Sequence, residues 1–422
     1  MPRAARGAAL FYGDDFTGSV DALLQFARRG WTGRLFTRLP DAATLRRAAD
    51  EVDVVGVAGI SRSLAPDEMD AELRPVFAAF AELDPAIVQY KACSTADSAP
   101  GVGSLGRVVE LARESFGERP VPMLFAQPDF GRYTLFGQHF AAERGTVYRL
   151  DRQPTMSHHP STPMTEADLA VHIGRQTDLP VGSIPLVAFD DLGALLRSSA
   201  ESAVVLDALT DEHLVTVGEA VAALPAPVFA IGSGGLSHGI AAADPRSGPA
   251  VPASTPSAGP VLVVSGSRSA QTRRQTDAAA AAGWLVQPLP LGGPARDAVV
   301  PDVIAALRAG RGVVLTSDDA DATSAGNRPV LEAIAEAAAS VISAVAGDGA
   351  ARRVIVCGGD TSSRVTRLLG VESLSIAANP WGNVVLLRAH ASDPAVDGLE
   401  LLLKGGQVGA DALFTDVAAL GS

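Results

Sequence analysis

Cysteine is nearly absent from this chain: Cys93 and Cys357 are the only two in 422 residues. That scarcity excludes a secreted disulfide framework and a cysteine-built zinc site, and makes a reducing cytoplasm the expected compartment. Basic residues are also short, with 34 Lys and Arg against 47 Asp and Glu, a formal charge of −13. A nucleic-acid partner is excluded on that balance, because phosphate backbones require clustered cations. A small anion stays possible, since one local pocket can be basic on an acidic protein. No apolar stretch approaches the ~18 residues of a membrane span. The short apolar run behind Met1-Pro2-Arg3-Ala4-Ala5-Arg6 stops at Asp14-Asp15, which is not the pattern of a signal peptide. The string G-x-x-x-x-G-K-[ST] does not occur, so a P-loop NTPase is not expected. His158-His159 lacks the spacing of helical metal ligands and the other histidines are scattered, so no protein-built metal site is expected.

What is present is alternation. Hydrophobic residues make up 47% of the chain and aromatics only 5%. Short buried-strand runs alternate with helical patterns, which predicts an α/β protein of two domains, each a largely parallel sheet flanked by helices. Strands are expected at Ala8–Tyr12, Asp53–Ile60, Ile87–Lys91, Val121–Ala126, Val187–Phe189, Ala203–Asp207 and Val228–Ile231. From Gln127 to about Pro163 periodicity disappears, and the segment reads as an ordered functional loop. The stretch 244–260, rich in Pro, Ser, Ala and Gly, is read as a linker between a domain over 1–243 and a second over 261–422. Strands resume at Val261–Ser265, Gly312–Thr316, Val354–Cys357 and Asn383–Leu387, with an Ala-rich helix from Pro329 to Val345.

Chemistry concentrates at a few strand ends. Gly13-Asp14-Asp15-Phe16-Thr17-Gly18-Ser19-Val20-Asp21 follows the first strand and opens a helix. One Asp would serve as a helix cap; two adjacent ones plus Asp21 exceed what capping needs, and carboxyl ends of strands are where ligands bind in open α/β sheets. Lys91 ends a strand and leads into Cys93-Ser94-Thr95-Ala96-Asp97-Ser98, where a buried-edge lysine beside hydroxyls and a carboxylate suits an acidic substrate or a transferring phosphoryl group. Cys93 reads as a small core residue. Past the linker, Ser265-Gly266-Ser267-Arg268-Ser269 and Cys357-Gly358-Gly359-Asp360-Thr361 each follow a strand and open a helix, the arrangement that presents backbone amides to phosphate. Lys404-Gly405-Gly406 adds a cation to the same set. Ile231-Gly232-Ser233-Gly234-Gly235 imitates a dinucleotide fingerprint with the wrong spacing, and reads instead as a sharp turn.

In order and spacing these pieces resemble the four-carbon acid sugar kinase family over nearly the whole chain. The opening Asp14-Asp15-Phe16-Thr17-Gly18-Ser19-Val20-Asp21 matches its D-D-x-T-G-x-x-D signature. The likeness continues through Ser61-Arg62, Lys91, Ser265-Gly266-Ser267, Gly358-Gly359-Asp360-Thr361 and Lys404-Gly405-Gly406. The resemblance implies a sugar-acid domain followed by an ATP-binding domain, an active site in the cleft between them, and phosphorylation of a terminal hydroxyl with ATP and Mg2+. It assigns catalysis to Asp14, Asp15 and Lys91, with Asp360 as the alternative base. Substrate contacts fall to Asp21, Arg62, Ser94 and Asp97, Arg62 and Lys91 clamping a carboxylate. Nucleotide contacts fall to Ser267, Gly358, Gly359, Asp360, Thr361, Lys404 and Gly406. Where many members carry D-S-T-x-R-G, this chain has Cys93-Ser94-Thr95-Ala96-Asp97-Ser98. The arginine lost there counts against a straight four-carbon substrate, and that variant together with Gly131-Arg132-Tyr133 and the run from Asp151 to Pro160 resembles the branch of the family that acts on a branched 3-oxo acid, which implies 3-oxo-isoapionate before 3-oxo-tetronate, threonate or erythronate. The expected partner is a small sugar acid, with homo-oligomerisation open. A non-catalytic sugar-acid sensor and a nicotinamide-dependent oxidoreductase are the rivals; the phosphate loops speak against the first, and the wrong spacing of the Ile231–Gly235 glycines against the second.

Overall fold

The apolar runs form strands whose residues are buried on both faces, as a parallel sheet covered by helices requires. The computed structural model describes residues 8–255, 259–318, 329–382 and 384–420. The amino-terminal basic stretch and Asn383 lie outside them. The chain divides into two units, Met1–Ala250 and Val251–Ser422.

In the first unit the strands are β1 (Ala9–Gly13), β2 (Gly33–Phe36), β3 (Val54–Ala58), β4 (Ile87–Lys91), β5 (Val121–Leu124), β6 (Arg132–Leu135), β7 (Gln138–Glu143), β8 (Thr146–Arg149), β9 (Val181–Ile184), β10 (Ala203–Leu206) and β11 (Val228–Gly232). Eight of them run parallel in the order β2-β3-β1-β4-β11-β5-β10-β9. The chain fills one side of β1 and then crosses to the other, so the sheet reverses its winding between β1 and β4. Register aligns the ends there: Gly13 pairs with Ala58 and Lys91, and Lys91 with Gly232. Behind them Phe77, Phe116 and Phe229 form an aromatic cluster with centroids 5.2–5.7 Å apart.

The remaining strands, β6 to β8, form a separate antiparallel sheet within the segment read as irregular. Both of its turns have two residues at positive φ, Phe136-Gly137 (52° and 75°) and Arg144-Gly145 (50° and 81°). Tight hairpins of this kind favour Asn or Asp first, so Phe and Arg there disguise the turn. The Asp207 carboxylate holds the first one, accepting from the Phe136 and Gly137 amides at 2.6 and 3.0 Å. The expected strand at Val187–Phe189 is a 3-10 helix, Leu186–Asp191, with β9 just before it.

The second unit contains β12 (Val261–Ser265), β13 (Leu285–Pro288), β14 (Val313–Thr316), β15 (Arg353–Cys357), β16 (Val371–Trp381), β17 (Val384–Ala391) and β18 (Glu400–Lys404), ordered β13-β14-β12-β15-β18-β17-β16. β17 runs antiparallel to both neighbours, while β13, β14, β12, β15 and β18 are mutually parallel. The winding reverses between β12 and β15. The Ala-rich helix, Val330–Asp348, is by length and composition long and apolar enough to cross a membrane, against the expectation that no such stretch exists; over half of it is buried inside this unit.

The segment read as a linker is tied down at both ends. Arg246 and Gly248 donate backbone hydrogen bonds to Arg29 and Gly30, and the Arg246 guanidinium stacks 4.7 Å from the Trp31 ring centroid. On the other side Pro252 accepts from the Asn379 amide, and the buried Thr255 hydroxyl accepts from Arg353 at 2.8 Å. Arg353 also binds Glu400 at 2.9 Å and the carbonyls of Val417 and Leu420.

Candidate functional site

Five charged side chains converge at the winding reversal of the first unit. Asp15 caps helix Phe16–Ala27, its Oδ1 accepting from the Gly18 amide at 2.9 Å, so the capping role expected of one Asp is real. Its neighbour Asp14 is almost wholly buried and is gripped by Arg62, from Nε to Oδ2 at 3.0 Å and from Nη2 to Oδ1 at 2.7 Å. The same Nη2 reaches Asp15 Oδ1 at 2.9 Å. Arg62 is therefore committed to two protein carboxylates; among the described residues its Nη1 donates to nothing. Asp15 Oδ2 accepts no hydrogen bond among those residues, and the side chain is about a third exposed at 31%.

Burial pushes the Asp14 carboxyl up, Arg62 pulls it down, and the Asp15 charge pushes it up again; the net direction is upward. For Arg62, burial opposes the charge but the Asp14 and Asp15 carboxylates prevail and hold it fully protonated. The turn carrying Arg62 is itself fixed from below. Tyr12 Oη donates to Glu72 at 2.9 Å and accepts from the Ile60 amide, while Tyr90 Oη bonds Ser61 Oγ at 2.8 Å.

Lys91, buried at the end of β4, donates to the Ala92 carbonyl at 2.9 Å and lies 3.9 Å from Asp21 Oδ2. Two glutamines hold Asp21 in place: Gln25 from one turn along the helix at 3.1 Å, and Gln127 beyond β5 at 3.2 Å. Gly234, in the stretch read as a sharp turn, lets this happen, because a Cβ there would lie 2.1 Å from Asp21 Oδ2. Sequence reasoning missed Gln25, Gln127 and Gly234. Only Gln25 left a trace, four residues from Asp21 on a helix.

Ser94 and Asp97 sit on the loop after Lys91, and only Asp97 bonds locally. The Ser94 carbonyl faces buried His139 Nε2 at 2.8 Å, and Asp97 Oδ1 accepts from Thr95 Oγ1 at 2.6 Å. Neither is hydrogen-bonded to Asp14, Asp15, Asp21 or Lys91 among the described residues. Burial lowers His139 to about 4, keeping it neutral. Burial also raises Cys93 to about 11, consistent with an unreactive thiol.

The second unit gathers hydroxyls, glycines and one lysine at its own reversal. Ser265, Cys357 and Lys404 are in register at the ends of β12, β15 and β18, so their three following loops meet. Lys404, buried, donates to Thr272 Oγ1 at 3.0 Å, and burial lowers its affinity for a proton. Thr272 in turn donates to the Gly406 carbonyl at 3.0 Å and to Ser267 Oγ at 3.4 Å. A Cβ on Gly266 would strike Thr361 Oγ1 at 2.2 Å, so only glycine lets these two loops close together. Helix Gly359–Leu368 begins behind Gly358, at φ 111°, with no side chain capping it, and Gly359 and Asp360 are exposed. Uncapped amides at a helix start bordered by glycines form an anion cradle. Gln271 and Gln275, both unforeseen, bind the 405–411 loop through the Gly409 carbonyl at 2.8 Å and the Val408 and Ala410 carbonyls at 3.0 and 2.9 Å.

A sugar-binding N-terminal domain family matches residues 9–240, and a nucleotide-binding C-terminal domain family matches residues 262–414. The chain is 37% identical to a 3-oxo-isoapionate kinase of Paraburkholderia graminis, over 96% of this chain and 92% of that one. It is 32% identical to a 3-oxo-tetronate kinase of Pseudomonas fluorescens, over 95% and 94% respectively. A solved structure of a Haemophilus influenzae protein carrying a domain of unknown function superposes with a TM-score of 0.79 at 22% identity, over 98% of this chain and 100% of that one, which attests the fold.

Proposed function

Because the chain belongs to the four-carbon acid sugar kinase family, we propose that it is the kinase of a branched 3-oxo sugar acid, transferring phosphate from ATP to the terminal hydroxyl of 3-oxo-isoapionate. The coarser statement, a phosphotransferase acting on a sugar acid, stands on the family itself. The finer one is carried by the higher identity to the Paraburkholderia graminis 3-oxo-isoapionate kinase than to the 3-oxo-tetronate kinase of Pseudomonas fluorescens.

Phosphoryl transfer needs an aligned acceptor, a held donor and a place for the acceptor's proton. In this reading Asp15 takes the proton from the acceptor hydroxyl, because its Oδ2 is unengaged and accessible, whereas both Asp14 oxygens are bound by Arg62. Access decides before proton affinity does. Asp14 is then the anchor that orients Arg62. The unused Nη1 of Arg62 and the Lys91 ammonium face the acid's carboxylate, and Asp21, steadied by its two glutamines, receives a sugar hydroxyl. On the nucleotide side the amides of Gly359, Asp360 and Thr361, the Ser267 hydroxyl, Lys404 and the Gly406 backbone hold the phosphates. Among the described residues no three of His, Cys, Asp and Glu gather to hold a metal, so Mg2+ would arrive on the nucleotide's own phosphates.

An ATP-consumption screen over 3-oxo-isoapionate, 3-oxo-tetronate, threonate and erythronate tests this. The highest kcat/KM is expected with 3-oxo-isoapionate. A higher value with any straight four-carbon acid overturns the substrate assignment, and no turnover with any sugar acid overturns the kinase reading.

A further inference from the structure

The amino-terminal ends of β5 and β11 border a half-open cavity of about 280 Å3, at the edge of the first unit's sheet opposite to Asp14 and Lys91. Its walls are apolar and themselves well buried: Phe116 and Phe229 at the back, Val121 and Val228 at the strand starts, Leu196 from helix Leu192–Ser198. A dry apolar cavity of ~150 Å3 already accepts a benzene-sized guest. This one has room for a ring with a short chain.

Two guanidinium groups stand among these walls, and no carboxylate is paired with either among the described residues. Arg119 donates only to neutral backbone carbonyls, those of Pro225 and Pro227. Arg197, exposed at the cavity's lining, makes no hydrogen bond or ion pair among the described residues. An apolar hole bordered by two uncompensated cations is complementary to a ligand with an apolar body and one anionic end. A second negatively charged sugar acid does not fit, because it has no apolar body to fill the walls. A neutral hydrocarbon leaves the cations unanswered.

We propose that this cavity is a binding site for a small aromatic or branched aliphatic carboxylate, separate from the phosphoryl-transfer site. β11 is its physical link to that site. The strand begins at Val228 in the cavity wall and ends at Gly232, in register with Lys91.

Calorimetry on the full-length protein with 4-phenylbutyrate, 4-phenylbutanol and butyrate tests the assignment. The phenylbutyrate is expected to bind with Kd on the order of 1 mM or tighter, given the efficiency usual for a dozen heavy atoms. Both the neutral alcohol and the ring-free acid should bind at least about tenfold more weakly, one charged contact being worth about that factor. Arg197→Gln should weaken phenylbutyrate about tenfold, leave the alcohol unchanged and leave sugar-acid turnover intact. Leu196→Trp should fill the cavity and abolish binding of both. Absence of phenylbutyrate binding, equal binding of acid and alcohol, or affinity for the acid unaltered in Arg197→Gln would each overturn the proposal.

Discussion

The two units wind their sheets in the same way and carry different sets of side chains at the reversal. Each places its first strand centrally, its second strand two positions away, its third between them, and its fourth on the other side. In the first unit the resulting crevice holds three carboxylates, Asp14, Asp15 and Asp21, against two cations, Arg62 and Lys91. In the second it holds hydroxyls, uncapped amides and a single lysine, with no ion pair to Lys404 among the described residues. A network of opposite charges that keeps Arg62 Nη1 and Asp15 Oδ2 open is suited to recognising hydroxyls and moving one proton. An underneutralised cradle is suited to a polyanion. Topology supplies the place; side chains at strand ends decide what occupies it.

The sharpest test of that division is Asp15→Asn. It should lower kcat by about 10²- to 10⁴-fold, the usual contribution of a positioned base, with the fold intact by circular dichroism. If Asp360→Asn in the second unit shows that loss and Asp15→Asn does not, proton transfer belongs to the phosphate cradle and the division fails.

Acid should act next, and on the first unit. Buried His139 titrates at about 4 when folded and about 6.5 when free, so the folded state binds its proton more weakly. Stability is complete above pH 6.5, declines as the pH falls, and by about pH 4 has lost roughly 3 kcal/mol from this group. Denaturant melts against pH should show that slope, and it should flatten in His139→Gln. Lys404→Met should raise KM for ATP about 10- to 100-fold, the worth of one charged contact, while leaving the Kd of the sugar acid unchanged in calorimetry. The smallest effect expected is that of Gln275→Leu. Releasing the 405–411 loop from its helix should raise KM for ATP a few-fold and cost about 1 kcal/mol of stability.

How much of this was legible in advance follows the range of the interactions. Asp14, Asp15, Lys91 and the Gly358-Gly359 loop are read directly, because a strand end followed by a helix start is a local pattern. The capping bond of Asp15 is equally local. The grip of Arg62 on Asp14 spans 48 residues, so the sequence places both near a ligand without revealing that they bind each other. Gln127, Gly234, His139 and Gln275 act across 45 to more than 100 positions and carry no neighbouring mark. Val187–Phe189 is apolar enough for a strand, yet Val187 is among the most exposed hydrophobic residues at 76%, so the run never enters the sheet.

Arg353 bears on how the protein can be taken apart. Its guanidinium joins Thr255, ahead of the first strand of the second unit, to Glu400 and to the carbonyls at the carboxyl-terminal helix. A nucleotide-binding fragment cut at Val261, where the strand begins, would remove the Thr255 hydroxyl from that buried cation, a loss of about 1 kcal/mol for the one hydrogen bond. Cut instead at Val251, the fragment keeps Thr255 together with Glu400, Val417 and Leu420 around Arg353, so the useful scissors point lies ten residues upstream of the first regular element.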